Sequence, residues 1–170
     1  MINIILTSID GSKHASKALE YAVDLAAQFN AELVIANIVA PGPIPKALKH
    51  MAEIEHIVDV KNKNPAVPTT NVPVSSDNED ARINYQVQEF VSEQLLKKAQ
   101  SLAKQKGVEK VTLISERGDP AKRILKLAKR HDVDSIVMGN RGLGGIKGLL
   151  MGSVSDKVNH LAKVTCIIVR

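Results

Sequence analysis

Apolar residues follow two alternating rhythms along this chain. Five short apolar runs, residues 2–9, 31–39, 108–115, 135–139 and 164–169, predict strands, and those at 2–9 and 135–139 read as covered on both faces. Between them apolar positions recur every three or four residues, the period of an amphipathic helix. One stripe runs through Ala15, Ala18, Leu19, Ala22, Leu25, Ala26 and Phe29, and a second through Val87, Phe90, Val91, Leu95, Ala99, Leu102 and Ala103. Shorter stripes are Ile124, Leu125 and Ala128, then Val154, Val158 and Leu161. The punctuation agrees. Gly11-Ser12 opens the first helix, Pro41-Gly42-Pro43 stops the second strand, and Gly107 ends the second strong stripe. Gly118-Asp119-Pro120 supplies a turn, an N-cap and a first helical residue, and Ser153-Val154-Ser155-Asp156 reads as a capping box with Ser153 at the N-cap.

Strand and helix in alternation, with every strand apolar, is the pattern of a doubly wound α/β protein. The expected architecture is a five-stranded parallel sheet in the flavodoxin-like order 3-2-1-4-5. Strands one and four are then neighbours whose connections leave to opposite sides, and Asp10 and Gly139 converge at the ligand crevice. An insertion at about 41–85 interrupts the alternation. Ile44, Leu48, Met51, Ile54 and Val58 keep a helical period, and residues 61–82 carry Pro65, Pro68 and Pro73 among Ser, Thr, Asn and Asp, the composition of a long loop. Lying at the same carboxyl end as the crevice, this insertion reads either as a lid or as a tolerated addition.

The candidate chemistry lies between Met138 and Ser153, where six glycines separate the fourth strand from the last helix. Glycines leading into a helix N-terminus leave N–H groups turned toward one space, which suits an anion. The dinucleotide fingerprint fails, because Lys147 stands where its third glycine belongs after Gly142 and Gly144. A Walker loop fails because no Gly-Lys-Ser or Gly-Lys-Thr follows at the required distance. A receiver domain is unsupported, since Asp10 has no acidic neighbour and strand three ends in Glu116-Arg117. Arg141 and Lys147 read either as charge for the site or as solvated surface. Ser153 reads either as a cap or as a phosphate contact, and Asp10 as a helix cap or a ligand contact.

Composition narrows the classes. A chain of 170 residues with 44% hydrophobic and 24% charged residues suits one domain over 1–170. No run is long enough for a membrane span, and the N-terminal apolar segment lacks a basic lead and meets Asp10 early, so the expected address is cytoplasmic. Cys166 is a single cysteine and reads as a core hydrophobe. The net charge of +5 comes with only 2% aromatic residues, so stacking platforms for nucleic acid are scarce, and the cluster Lys122, Arg123, Lys126, Lys129 and Arg130 reads as a solvated helix face. His50 and His56 are six apart on a predicted helix, hence poor joint metal ligands, and His14, His131 and His160 read as surface or helix-end residues.

The spacing that is present is Gly139, two residues, Gly142, nine residues, Gly152, Ser153. With Ser8-Ile9-Asp10-Gly11-Ser12 after strand one, Gly118-Asp119-Pro120-Ala121 before the third stripe and the closing Cys166-Ile167-Ile168-Val169-Arg170, the chain resembles the ATP-binding branch of the universal stress protein family over nearly its whole length. It departs in having no proline before the last strand, where Thr165 stands, and in the length of the loop 61–82. The resemblance implies that Gly139, Gly142, Gly152, Ser153 and Val154 meet the ribose and phosphates, that Asp10 and Ile38 face adenine and ribose, and that Met138 and Arg141 border the same site. It also implies ATP as ligand, with ADP or AMP and a magnesium or manganese ion as variants, and a homodimer paired through residues 164–169. The function expected is a stress-response regulator that holds a nucleotide. A slow ATPase and a partner-binding module with a structural nucleotide are the alternatives.

Overall fold

The computed structural model describes residues 2–42, 79–144 and 151–170, so the predicted helix at 44–60 and most of the loop after it lie outside the described residues. The described elements are β1 (Ile4–Ser8), α1 (Lys13–Phe29), β2 (Glu32–Val39), α2 (Glu79–Gln105), β3 (Val111–Arg117), α3 (Pro120–Arg130), β4 (Ser135–Gly139), α4 (Ser153–Leu161) and β5 (Thr165–Val169). The strands form one parallel sheet in the order β3-β2-β1-β4-β5, as the alternation predicts.

Side chains leave a strand on alternate faces, and the two faces collect different helices. Ile5, Leu33, Ile35 and Val137 pack with Ala18, Ala22 and Val23 of α1 and Leu96, Ala99 and Ala103 of α2. On the other face Leu6, Val34, Ala36, Ile136 and Met138 pack with Ala121, Ile124 and Leu127 of α3 and Val158 of α4. The chain after β1 therefore covers one face and the chain after β4 the other. A crevice opens where these neighbouring strands part.

Three boundaries or faces differ from the periodic reading. β3 begins at Val111 rather than 108, because Gly107 takes φ 87° and the N–H of Val108 turns back to the Ala103 carbonyl at 3.0 Å, closing α2 before the strand can start. α2 already takes in Glu79 to Arg82, inside the stretch that reads as loop: Glu79-Asp80-Ala81-Arg82 carries no apolar stripe, yet these are mostly good helix formers. Phe29 and Leu161 are 47% and 54% exposed although both fit their stripes, while Val23, outside the first stripe, is buried. Each exposed residue is the last of its helix, where the next element no longer covers the stripe.

The basic face of α3 is partly neutralised. Glu116 accepts from Arg130 at 2.7 Å and Arg123 at 3.3 Å, and the Arg130 hydrogen bond foremost holds its carboxyl below the usual carboxylate range. Cys166 is half-buried, and burial pushes its thiol pKa up, which suits a core residue better than a reactive one. Among the described residues, no helix is long and apolar enough to cross a membrane.

Candidate ligand site at the switch point

Gly11, at φ 83°, lets the chain turn from β1 into α1 where a side chain would be strained. Asp10 precedes it, and its carboxylate does not cap α1. Oδ1 accepts from the N–H of Ser12 at 2.9 Å and Oδ2 from the N–H of Leu143 at 3.0 Å. The cap is Ser12, whose Oγ accepts from the N–H of Ala15 at 3.2 Å.

The glycine stretch leaves β4 through Asn140, whose N–H donates to the Val169 carbonyl at 2.7 Å. The chain returns at Gly152, whose N–H donates to the Asn140 carbonyl at 2.7 Å, so the two ends of the loop are pinned together. Ser155 strengthens the pin: its buried hydroxyl lies 2.8 Å from the Asn140 carbonyl and 3.0 Å from the Gly152 carbonyl. Residues 145–150, with Lys147, lie outside the described residues.

That arrangement corrects the capping box. The N-cap of α4 is Gly152, Ser153 is the first helical residue and is exposed, and no side chain caps the helix. The hydroxyl that works locally is Ser155, committed to the loop rather than to a cap. The other short connections differ, since α1 is capped by Ser12 and α3 by Asp119, which accepts from the N–H of Lys122 at 2.8 Å. That bond foremost lowers the Asp119 pKa, with Lys157 adding to it. The N-terminus of α4 thus presents first-turn N–H groups and a partial positive charge, and among the described residues no side-chain oxygen caps them.

A cavity of about 390 Å³ lies over these strand ends, within the usual range for a small-molecule site. Asp10, Ile38, Met138, Gly139, Arg141, Gly142, Gly152, Ser153 and Val154 all line it, so these nine residues share one space, while Lys147 lies outside the described residues. Their local roles differ. A Cβ on Gly139 would stand 2.7 Å from the His14 carbonyl carbon, so this glycine lets β4 pack against the first turn of α1. A Cβ on Gly142 would run into the Asp10 carboxylate. At Gly152 the nearest neighbours of a Cβ lie at ordinary contact distance, 3.4 Å or more.

The opposite wall went unread in the sequence. Gln88, Val91, Ser92 and Leu95 of α2 line the cavity, and Asn37 of β2 donates its side-chain N–H to the Ile9 carbonyl at 2.7 Å. Gln88 donates to the Gly42 carbonyl at 3.1 Å and accepts from Arg117 at 2.9 Å, while the Arg117 guanidinium sits 4.2 Å from the Tyr85 ring centre. Ser92 shares a 2.8 Å hydrogen bond with Ser115. Gln88 and Ser92 are polar residues four apart, buried beside Val87 and Val91 on the apolar face, and that interruption of the stripe was the available signal.

His14 lies in the first turn of α1, His131 closes α3 and His160 lies in the last turn of α4. Among the described residues no group of three or more His, Cys, Asp or Glu is placed to hold a metal ion; His50 and His56 lie outside them.

A doubly wound sheet of this order, with a cavity at the switch point beside an uncapped helix N-terminus, defines a flavodoxin-like α/β protein with a candidate small-ligand site. The sequence model of the universal stress protein family matches residues 1–170, and the chain belongs to that family. Universal stress protein YxiE of Bacillus subtilis (strain 168) is 33% identical over 173 residues, covering 100% of both chains. Among solved structures, universal stress protein UspA from Lactobacillus plantarum matches with a TM-score of 0.71 at 19% identity, over 99% of this chain and 98% of that one. A universal stress protein in complex with cAMP matches with a TM-score of 0.65 at 24% identity, over 99% and 97%. These structural matches show the shared fold.

Proposed function

We propose that this chain binds an adenine nucleotide, ATP first and ADP or AMP as variants, in the cavity above β1 and β4, and acts as a stress-response regulator whose partner contacts follow occupancy. The observation that carries this reading is the glycine-capped N-terminus of α4, open to a cavity of nucleotide-compatible size. The base and ribose fall toward Asp10 and Ile38, and the phosphates toward Gly152, Ser153 and Val154. A magnesium or manganese ion arriving with a triphosphate would be held by the phosphate oxygens, with the Ser153 hydroxyl and the remaining lone pairs of the Asp10 carboxylate as the oxygen donors this chain offers. The family match and the cAMP described in one structural neighbour support the choice of an adenine nucleotide. A cytoplasmic address goes with the same reading and is checked by cell fractionation.

Nucleotide at a hundred times its dissociation constant is expected to add about 2.7 kcal/mol of stability. For a chain of this length that raises Tm by roughly 5–11 °C. Denatured extracts of the purified protein should also release adenine nucleotide. No Tm rise with ATP, ADP or AMP, together with an extract free of nucleotide, overturns the reading.

The same reading includes a homodimer through β5. This strand, Thr165–Val169, is uncharged and among the described residues has one neighbour in the sheet, β4, so its other edge suits pairing with a second copy. Light scattering is expected to give twice the chain mass, and a monomer at micromolar concentration sinks the assignment.

A further inference from the structure

We propose that Asp10 is the latch of the glycine loop: its carboxylate fixes the turn at Leu143, and position 142 is glycine to let that carboxylate in. Two independent observations meet here. Asp10 is bonded on both oxygens, to the N–H of Ser12 beside it and to the N–H of Leu143, 133 residues away in sequence. A Cβ built on Gly142 would collide with Asp10 Oδ2, and among the described residues the other neighbour it meets within 4 Å is Asp10 Cγ. Gly142 is exposed and lies outside the left-handed region, so alanine is barred there neither by backbone strain nor by core packing. What an alanine there would displace is the Asp10 carboxylate, and with it the bond to Leu143.

The pairing gives Gly142 a role that needs no ligand. It also divides the loop chemically. The Leu143 N–H is taken by a carboxylate and is withheld from an anion, while the first turn of α4 has no side-chain cap, so phosphate contact concentrates at Gly152 to Val154. Asp10 is on this account a positioning residue: it ties the turn at Gly142-Leu143 to the end of β1. The consequence for phosphate rests on the nucleotide-binding reading above, whereas the latch itself stands on the geometry of the chain alone.

A double-substitution cycle tests it, read by amide hydrogen exchange at Leu143 without ligand and by ATP titration. Gly142→Ala and Asp10→Ala are each expected to speed exchange at Leu143 at least tenfold. Adding Gly142→Ala to Asp10→Ala should change that rate by less than twofold, because the colliding carboxylate is gone. Asp10→Asn, which removes the charge without adding bulk, should also speed exchange. ATP affinity should fall with Gly142→Ala in the native background and stay level when the same change is made in Asp10→Ala. Unaltered Leu143 exchange in Asp10→Ala, or equal loss of affinity from Gly142→Ala in both backgrounds, overturns the latch. If no variant and not the native chain binds ATP, the exchange rates still decide the latch, and it is the nucleotide reading that fails.

Discussion

Gly139→Ala is expected to destabilise the protein by about 3 kcal/mol, the upper part of the usual range for overpacking, and to lower Tm by roughly 6–12 °C. The added Cβ would meet the His14 carbonyl carbon at 2.7 Å, its oxygen at 2.8 Å and the Ala15 nitrogen at 2.9 Å. All three are backbone atoms, so no rotamer change relieves the contact. The backbone they belong to is itself held, because Ala15 N–H is the group that Ser12 caps. Gly139 is also paired in register with Val169 of β5, so moving β4 away would disturb a second strand. The comparison variant is Gly144→Ala, where a Cβ meets nothing within 4 Å and a Tm near that of the native chain is expected. Urea denaturation of the pair decides the matter: a loss below 1 kcal/mol for Gly139→Ala would show that α1 and β4 are less closely packed than the structure has them.

Ser153→Asp is expected to separate stability from binding. Ser153 is exposed at the first position of α4, beyond an N-cap that has no side chain. A carboxylate there complements the helix dipole and should stabilise the fold by about 0.3–1 kcal/mol. It also puts a negative charge where the proposed phosphates belong. Two unit charges about 4 Å apart near a protein surface repel by roughly 4 kcal/mol, and relaxation recovers part of that. A residual penalty of about 2–4 kcal/mol weakens nucleotide binding roughly 30- to 1000-fold. Ser153→Ala, which takes away only a hydroxyl, should cost about 1 kcal/mol of binding. Thermal melts and ATP titration on the same samples give both readings. ATP affinity within threefold of native for Ser153→Asp would remove the phosphates from this helix end.

The strands were legible because each is an apolar run set between helical stripes, and the doubly wound pattern that such alternation implies supplied their order. The helix ends were less so. Phe29 and Leu161 satisfy the helical period yet face water, since period records which residues share a side and not where cover stops. Ser153 looked like a cap because a hydroxyl stood three residues before an acid. The bond from Gly152 N–H to the Asn140 carbonyl sets the helix start one residue earlier and leaves Ser153 bare. Gln88 and Ser92 were hidden for a different reason: buried polar residues on an apolar stripe signal a partner, but the partners are Gly42, Arg117 and Ser115, which only the packing of α2 against β2 and β3 brings within reach.

Local pattern was enough for the alternation, the place of the switch point and the spacing Gly139, Gly142, Gly152, Ser153, because each depends on neighbours within one element or on a short motif. The reason for each glycine was not. At 139 the obstacle to a side chain is the backbone of α1, and at 142 it is the carboxylate at the end of β1. Both obstacles come from the other end of the chain and meet the loop only because β1 and β4 lie side by side. A glycine that makes room for an anion and one that makes room for the protein's own atoms look alike in sequence. Excluded volume tells them apart, and excluded volume exists only in the folded chain.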